Sequence, residues 1–331
     1  MTRLAALGLL LAATLLLGGC GTDVQSAMSP RGVQAGQIAL LSWILFAFSF
    51  FVLGIVMAAV WFAIRGSVRI RKLLSQENAV LALGVVFPAV TLTVLLGYGV
   101  WLMRAQLGVN DNRDAVRIEV VGEQWWWRVA YAGADGKSIA SANEIRMPVG
   151  QPVEFTLKSA DVIHSFWVPS LGGKIDMTPG RTTRLRLEAE RPGVYRGQCA
   201  EYCGGPHALM ALEVVAMPQA EYRAWLEREA ASALPPTSEA HRRGQSLIVA
   251  AGCGACHTVR GTAATGTLGP DLTHIGGRRS VGVDTLPLNA ENLVRFITSG
   301  QHVKPGNLMP EFRIFTPDEQ QALAGYLLSL R

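Results

Sequence analysis

The segment GQCAEYCGGPHALM, residues 197–210, gathers Cys199, Glu201, Cys203, His207 and Met210 on one short stretch. Thiolate, imidazole and thioether in combination select copper or zinc. A zinc site would need a second closely spaced cysteine pair or nearby histidines, and the chain has only six histidines. A mononuclear blue-copper site uses one cysteine and leaves the second idle. Two cysteines with two histidines and a methionine suit two coppers bridged by both thiolates, with the second histidine supplied from elsewhere. His164, in DVIHSFWVPSLGGKIDMTPGR at 161–181, follows an apolar strand end, precedes a glycine-rich loop and provides it.

A second chemistry lies further on. CGACH at 253–257 has the form of a c-type haem attachment site: Cys253 and Cys256 for the thioether bonds, His257 for the iron. About fifty residues later, NLMPEF offers Met309 before a proline; His274 and His302 are the rival distal ligands. A Met/His pair raises the haem potential, as an electron carrier requires. Of the five cysteines, only Cys20 then remains, so no structural disulfide is left to form.

These residues need rigid elements around them. Between about 115 and 217, short alternating segments such as RIEVVGEQWWWRVAY, PVEFTLKSA, RTTRLRLEAE and ALEVVAM, separated by turn signals, predict a β-sandwich. Residues 218–231 switch to helical periodicity, and SALPPTSEA at 232–240 reads as a linker. The remainder is helical and rich in glycine. Its last helix opens on TPDEQQALAGYLLSL, with Thr316 as N-cap, Pro317 in the first turn and Glu319 completing a capping box.

The mean hydropathy of +0.26 and the charged fraction of 17% are unlike those of an ordinary soluble protein. The apolar excess lies before residue 105. Residues 38–64 and 79–103 carry no charge over their apolar cores, and a bilayer requires roughly 20 such residues; Pro88 is tolerable in such a helix. The loop between them holds Arg65, Arg69, Arg71 and Lys72, which predicts a cytoplasmic hairpin turn with both ends outside. MTRLAALGLLLAATLLLGGC has the layout of a secretory signal over 1–19, and its LGGC ending resembles a bacterial lipoprotein cleavage box, with Cys20 the lipidated residue. The net charge of +5 is scattered, with no basic run among aromatics, so no nucleic-acid site is expected.

The stretch 161–210, GEQWWW at 122–127 and the two-helix anchor together resemble subunit II of haem–copper cytochrome c oxidases. The region 238–331 resembles a small class I cytochrome c, which makes the whole caa3-like. The resemblance implies a transmembrane helical hairpin over 36–105, an all-β cupredoxin-like sandwich or barrel over 112–217 and a helix and linker over 218–237. A small all-α cytochrome c domain over 238–331 completes it. It implies a dinuclear CuA centre held by His164, Cys199, Cys203, His207, Met210 and the carbonyl of Glu201. It also implies a magnesium ion bound by the Glu201 carboxylate at the boundary with subunit I, and electron entry at Trp125. Haem c would be held by Cys253 and Cys256, with His257 and Met309 axial. Expected partners are subunit I, subunit III, and an upstream donor such as a cytochrome c or bc1-type complex, on a bacterial plasma membrane with both redox domains outside.

Every histidine lies at 164 or later and neither span contains one, so the oxygen-reducing centre belongs to another chain. A quinol-oxidase subunit II shares the anchor and sandwich but not the metal residues. A copper carrier has no use for attached haem, and nitrous oxide reductase lacks the hairpin. Two departures from the family stand out. Leu81 occupies the place of a membrane glutamate, with Glu77 the nearest acid, which leaves that glutamate's proton-entry role without a carrier there. Glu123 replaces the histidine of the family's GHQW. Alternation along one strand would put Trp125 and Trp127 on one face and Trp126 on the other.

Overall fold

The computed structural model describes residues 25–106, 114–133 and 136–331. Cys20 and the leader 1–19 lie outside the described residues. The two long apolar helices form one compact unit, and the β and helical remainder forms another.

In the hairpin, α1 (Val33–Arg65) is followed by a short helix α2 (Val68–Leu74). The loop expected between the spans therefore contains a helical turn carrying Arg69, Arg71 and Lys72. The second span starts as α3 (Glu77–Leu81), passes through a π-turn at Ala82–Val86 and continues as α4 (Phe87–Gln106). Pro88 has no N–H to return to the preceding turn, and the ladder slips at this point, with the Phe87 N–H reaching the Ala82 carbonyl. Apolar side chains such as Trp43, Phe50, Trp61 and Leu96 are exposed along both helices, which are long and apolar enough to cross a membrane.

The β region pairs as two five-stranded sheets, ordered β3-β2-β1-β5-β8 and β4-β10-β9-β6-β7. The first uses β1 (Val116–Glu123), β2 (Trp126–Ala132), β3 (Ser138–Ala142), β5 (Val153–Ser159) and β8 (Thr183–Leu187). The second uses β4 (Glu144–Pro148), β6 (His164–Trp167), β7 (Ile175–Met177), β9 (Gly193–Cys199) and β10 (Ala211–Met217). Alternation buries Ile118 and Val120 on β1 and Val153, Phe155 and Leu157 on β5. They meet Phe166, Leu212 and Val214 of the second sheet in one core. Helix α5 (Gln219–Ala230) covers a further edge, its Trp225 ring 5.0 Å from Tyr131 in an edge-on contact.

The GEQWWW reading is corrected by this topology. The single strand expected there is a hairpin: β1 ends at Glu123, β2 begins at Trp126, and Gln124 and Trp125 form the turn. Alternation therefore holds for Trp126 and Trp127 only, and it does not place Trp125 on a strand face.

The C-terminal part packs α6 (Glu239–Ala250), α7 (Ala290–Val303) and α8 (Pro317–Ser329). The capping box at Thr316 and Glu319 forms as the sequence predicts. Helices α6 and α8 cross tightly because Gly244 leaves room: a Cβ there would lie 2.2 Å from the Ala322 carbonyl oxygen. Ile248, Leu293, Leu323, Tyr326 and Leu327 form the core beneath.

Candidate metal and haem centres

Strand pairing assembles the soft ligands. His164 opens β6 and Cys199 closes its neighbour β9, with Phe166 opposite Cys199 in the register. The connection from Cys199 to Met210 folds back on itself, its ends joined by the Cys199 N–H to Met210 carbonyl bond of 2.8 Å. Ala200 N–H donates to the Ser165 carbonyl at 3.0 Å and ties the loop to β6.

Within that loop the donor atoms converge. The Cys199 and Cys203 sulfurs are 3.9 Å apart; His164 Nδ1 lies 3.8 Å from Cys199 Sγ, and His207 Nδ1 lies 3.4 Å from Cys203 Sγ. Met210 Sδ is 3.7 Å from Cys203 Sγ, and the Glu201 carbonyl oxygen lies 3.2 Å from Cys199 Sγ. That carbonyl points inward while the Glu201 carboxylate faces outward, 3.6 Å from Lys174 Nζ. Each sulfur thus has an imidazole beside it, a symmetric arrangement about a paired sulfur core. Cys199, Cys203, His164 and Met210 are buried, which keeps bulk water from them, while His207 is half-buried.

The electrostatics of this cluster call for cations. Hydrogen bonding from Cys203 draws the Cys199 thiol down to about 4, with burial opposing and His164 assisting. Cys203 is driven the other way, because its proton bridges to the Cys199 thiolate and a second buried thiolate beside the first is repelled. Two adjacent thiolates exist together here only if metal charge compensates them, so the donor set fits a dinuclear thiolate-bridged site.

Two residues that sequence reasoning missed hold His164 in place. Asp161 Oδ1 lies 2.7 Å from His164 Nε2, which leaves Nδ1 for the metal side. Its other oxygen accepts from Gln124 N–H at 2.7 Å, anchoring the tryptophan turn to the same carboxylate. Gly122 lies under the imidazole: a Cβ there would be 2.8 Å from Cγ and Cδ2 of His164. The D-x-x-H spacing at 161–164 was the available signal for Asp161; nothing local marks Gly122.

Trp125 sits at the rim of the cluster. Its indole Nε1–H donates to the Cys203 carbonyl at 3.1 Å, and Gly205 (φ +30°) lies against its ring, where a Cβ would come within 2.5 Å. Trp127 is buried and donates from Nε1 to the Ala211 carbonyl at 2.9 Å. Trp126 carries the Arg128 guanidinium 4.8 Å above its ring. Glu123 pairs with the same arginine, Nε to Oε1 2.6 Å.

In the C-terminal domain a 3₁₀ turn at Cys253–Ala255 leads to Cys256 and His257. His257 Nδ1 lies 2.8 Å from the Pro270 carbonyl, fixing the tautomer that presents Nε2, and burial holds its pKa below the usual imidazole range. Gly269 lies against the ring, where a Cβ would come within 2.6 Å. Leu268 and Leu308, neighbours in sequence of Gly269 and Met309, are left 75% and 78% exposed. Large exposed apolar groups next in sequence to Gly269 and Met309 suit a site that a porphyrin covers. The Met309 N–H is bonded to Asn307 Oδ1 at 3.0 Å. Of the rival ligands, His274 is buried with Nε2 3.0 Å from the Ala231 carbonyl, and His302 is exposed.

The two domains share an interface. Arg128 Nη2 donates to the Thr267 carbonyl at 2.9 Å, Arg146 Nη2 to the Gly277 carbonyl at 2.8 Å, and Arg279 N–H to Glu144 Oε2 at 2.9 Å. Val283 of the C-terminal domain joins the core cluster of the sandwich.

Comparison with known proteins agrees with this layout. Residues 129–217 match the family model described as cytochrome c oxidase subunit II, periplasmic domain, and residues 241–331 match that of cytochrome c. The chain is 36% identical to cytochrome c oxidase subunit 2 of Alkalihalophilus pseudofirmus over 96% of its own length and 94% of the relative's. It is 28% identical to the Bacillus subtilis protein of the same name, over 96% and 95%. A solved periplasmic domain of subunit II of cytochrome oxidase from Bradyrhizobium japonicum is 32% identical, over 35% of this chain and 93% of that one, at a TM-score of 0.33.

Proposed function

The chain belongs to the cytochrome c oxidase subunit 2 family, and from that membership we propose which residues carry its electrons and which partners surround it. It is a membrane-anchored part of a haem–copper oxidase complex, partnered with subunit I, which it supplies with electrons through a CuA domain extended by a cytochrome c domain.

His164, Cys199, Cys203, His207 and Met210, with the Glu201 carbonyl, are the proposed copper ligands. The observation that carries this is the convergence of both imidazoles and the thioether on one pair of sulfurs 3.9 Å apart. Cys253 and Cys256 would hold haem c through thioether bonds, and His257 and Met309 would ligate its iron. When bound, the copper pair and the haem supply reversible one-electron carriers. The protein's part is to hold these donors rigid, so that little rearrangement accompanies each transfer. Asp161 and Gly122 orient His164, and the Pro270 carbonyl orients His257.

Trp125 is the proposed entry point from the haem domain, supported by its indole bond to the Cys203 carbonyl. The outward carboxylate of Glu201 is the proposed magnesium ligand, facing subunit I. The basic residues of α2 favour a cytoplasmic hairpin turn, which puts both redox domains on the outer side of a bacterial plasma membrane. Subunit III, and a cytochrome c or bc1-type complex as donor, complete the proposed assembly, with Cys20 as its lipid attachment point.

Purified complexes carrying Cys199→Ser or Cys203→Ser test the copper assignment. Each is expected to lose the mixed-valence copper EPR signal while keeping haem c. An unchanged two-copper spectrum in either variant overturns it. His257→Ala is expected to disturb haem coordination and leave copper loading intact.

A further inference from the structure

Lys304 follows the last residue of α7 and is only 2% exposed. Lysine is almost never buried to this degree unless its amine is paired. Its Nζ donates to the Trp125 carbonyl at 2.7 Å and to the Leu209 carbonyl at 2.9 Å. Both acceptors belong to the sandwich: Trp125 to the β1–β2 turn, Leu209 to the position just before Met210. A side chain of the cytochrome c domain is therefore plugged into the copper-binding loop. Burial draws its pKa down to about 7. Charged or neutral, the amine keeps at least two N–H donors, so both bonds survive its titration.

The same short loop reaches the haem side. The Lys304 carbonyl accepts from Asn307 Nδ2 at 2.9 Å, and Asn307 Oδ1 accepts from Met309 N–H at 3.0 Å. Gly306, at φ +85°, lies against the copper loop: a Cβ there would be 3.4 Å from Pro206 Cδ. The Met309 loop and the 203–210 loop are thus tied together through one buried amine. Among the other inter-domain bonds, those of the Arg128 and Arg279 guanidinium groups come from side chains 35% and 52% exposed, while the Arg279 backbone N–H reaches the buried carboxylate of Glu144. Partly solvated charges of that kind steer encounter more than they fix geometry.

We propose that Lys304 is a positioning residue for the inter-domain electron step, seating the haem domain so that its Met309 loop abuts the copper-ligand loop beside Trp125. The proposal rests on the ligand assignment made above. A tethered domain that leaves its seat must find it again by diffusion within the reach of its linker, and transfer from the unseated position is slow because tunnelling weakens steeply with distance.

The test uses the intact oxidase complex carrying Lys304→Met, which keeps the stem and removes the donors. Haem c to copper transfer is followed by stopped-flow or flash reduction at increasing solvent viscosity. The expected result is unchanged haem c and copper spectra, with transfer slowed about tenfold or more and newly dependent on viscosity. The wild-type complex is expected to show no viscosity dependence. A wild-type rate in Lys304→Met overturns the proposal, as does a slowed rate that ignores viscosity and accompanies a shifted copper potential. If the methionine variant does not load both cofactors, Lys304→Gln, whose shorter stem cannot span both carbonyls, is read by the same criteria. The ligand assignment fails separately, on wild-type spectra lacking the mixed-valence copper signal or the Met–haem absorption band.

Discussion

The imidazole of His164 rests directly on Gly122, 42 residues earlier in the chain, with space for a hydrogen and none for a methyl: a Cβ would stand 2.8 Å from the ring. Gly122→Ala must displace the ring or the β1 backbone beneath it. Overpacking of this kind costs about 1–3 kcal/mol. The displaced ring also loses its alignment toward Cys199. The expected outcome is a copper EPR spectrum with altered hyperfine splitting and a lower melting temperature, with the haem c absorbance unchanged.

Asp161 fixes the His164 tautomer through a 2.7 Å contact and also holds the Gln124 amide. Asp161→Asn keeps the shape while removing the carboxylate charge that makes the imidazole a better ligand. Loss of such a supporting group typically weakens metal affinity about 10–100-fold. Competition with a chelator of known copper affinity measures the change, and an affinity equal to wild type would refute the role given to Asp161.

The sulfur pair gives the metal-free protein a characteristic pH dependence. Cys199 has a folded pKa of about 4, depressed from the ordinary 9.0, so its contribution to stability is full above the ordinary value and is lost as pH falls through about 4. Cys203 is raised, so its contribution has the opposite sign: it is present below the ordinary value of 9.0 and disappears as pH climbs toward the raised one. Together the pair favours the fold most near the ordinary thiol pKa. Denaturant midpoints of metal-free protein should rise from acid toward that point and then decline. The Cys199→Ser/Cys203→Ser double variant should lack this component, and identical pH profiles for the two proteins would contradict it.

Trp125→Ala should leave both cofactor spectra nearly unchanged and slow haem c to copper transfer severely, since the indole bonded to the Cys203 carbonyl is removed. Trp126→Ala removes the platform under Arg128 and should instead weaken the Arg128 contact with Thr267. Stopped-flow reduction separates the two. Transfer at the wild-type rate in Trp125→Ala would mean that electrons enter the copper domain elsewhere.

What the sequence determined by itself is what near neighbours decide. The ligand types of 199–210, the CGACH turn, the capping box at Thr316 and Glu319 and the two apolar spans all lie in local spacing, because periodicity and near-neighbour hydrogen bonds act over a few residues. The tertiary structure decided the rest. A run of alternating aromatics reads as one strand, yet pairing of β1 with β2 turns the chain at Gln124 and Trp125 and takes Trp125 off the sheet. His164 acquires its bed at Gly122 only when β1 and β6 come together, and Asp161 meets Gln124 across 37 positions. Lys304 looks like an ordinary surface lysine beyond a helix end until a contact spanning 179 positions buries it against Trp125. Such contacts leave no periodic mark, because each depends on where distant segments meet rather than on what stands beside the residue in the chain.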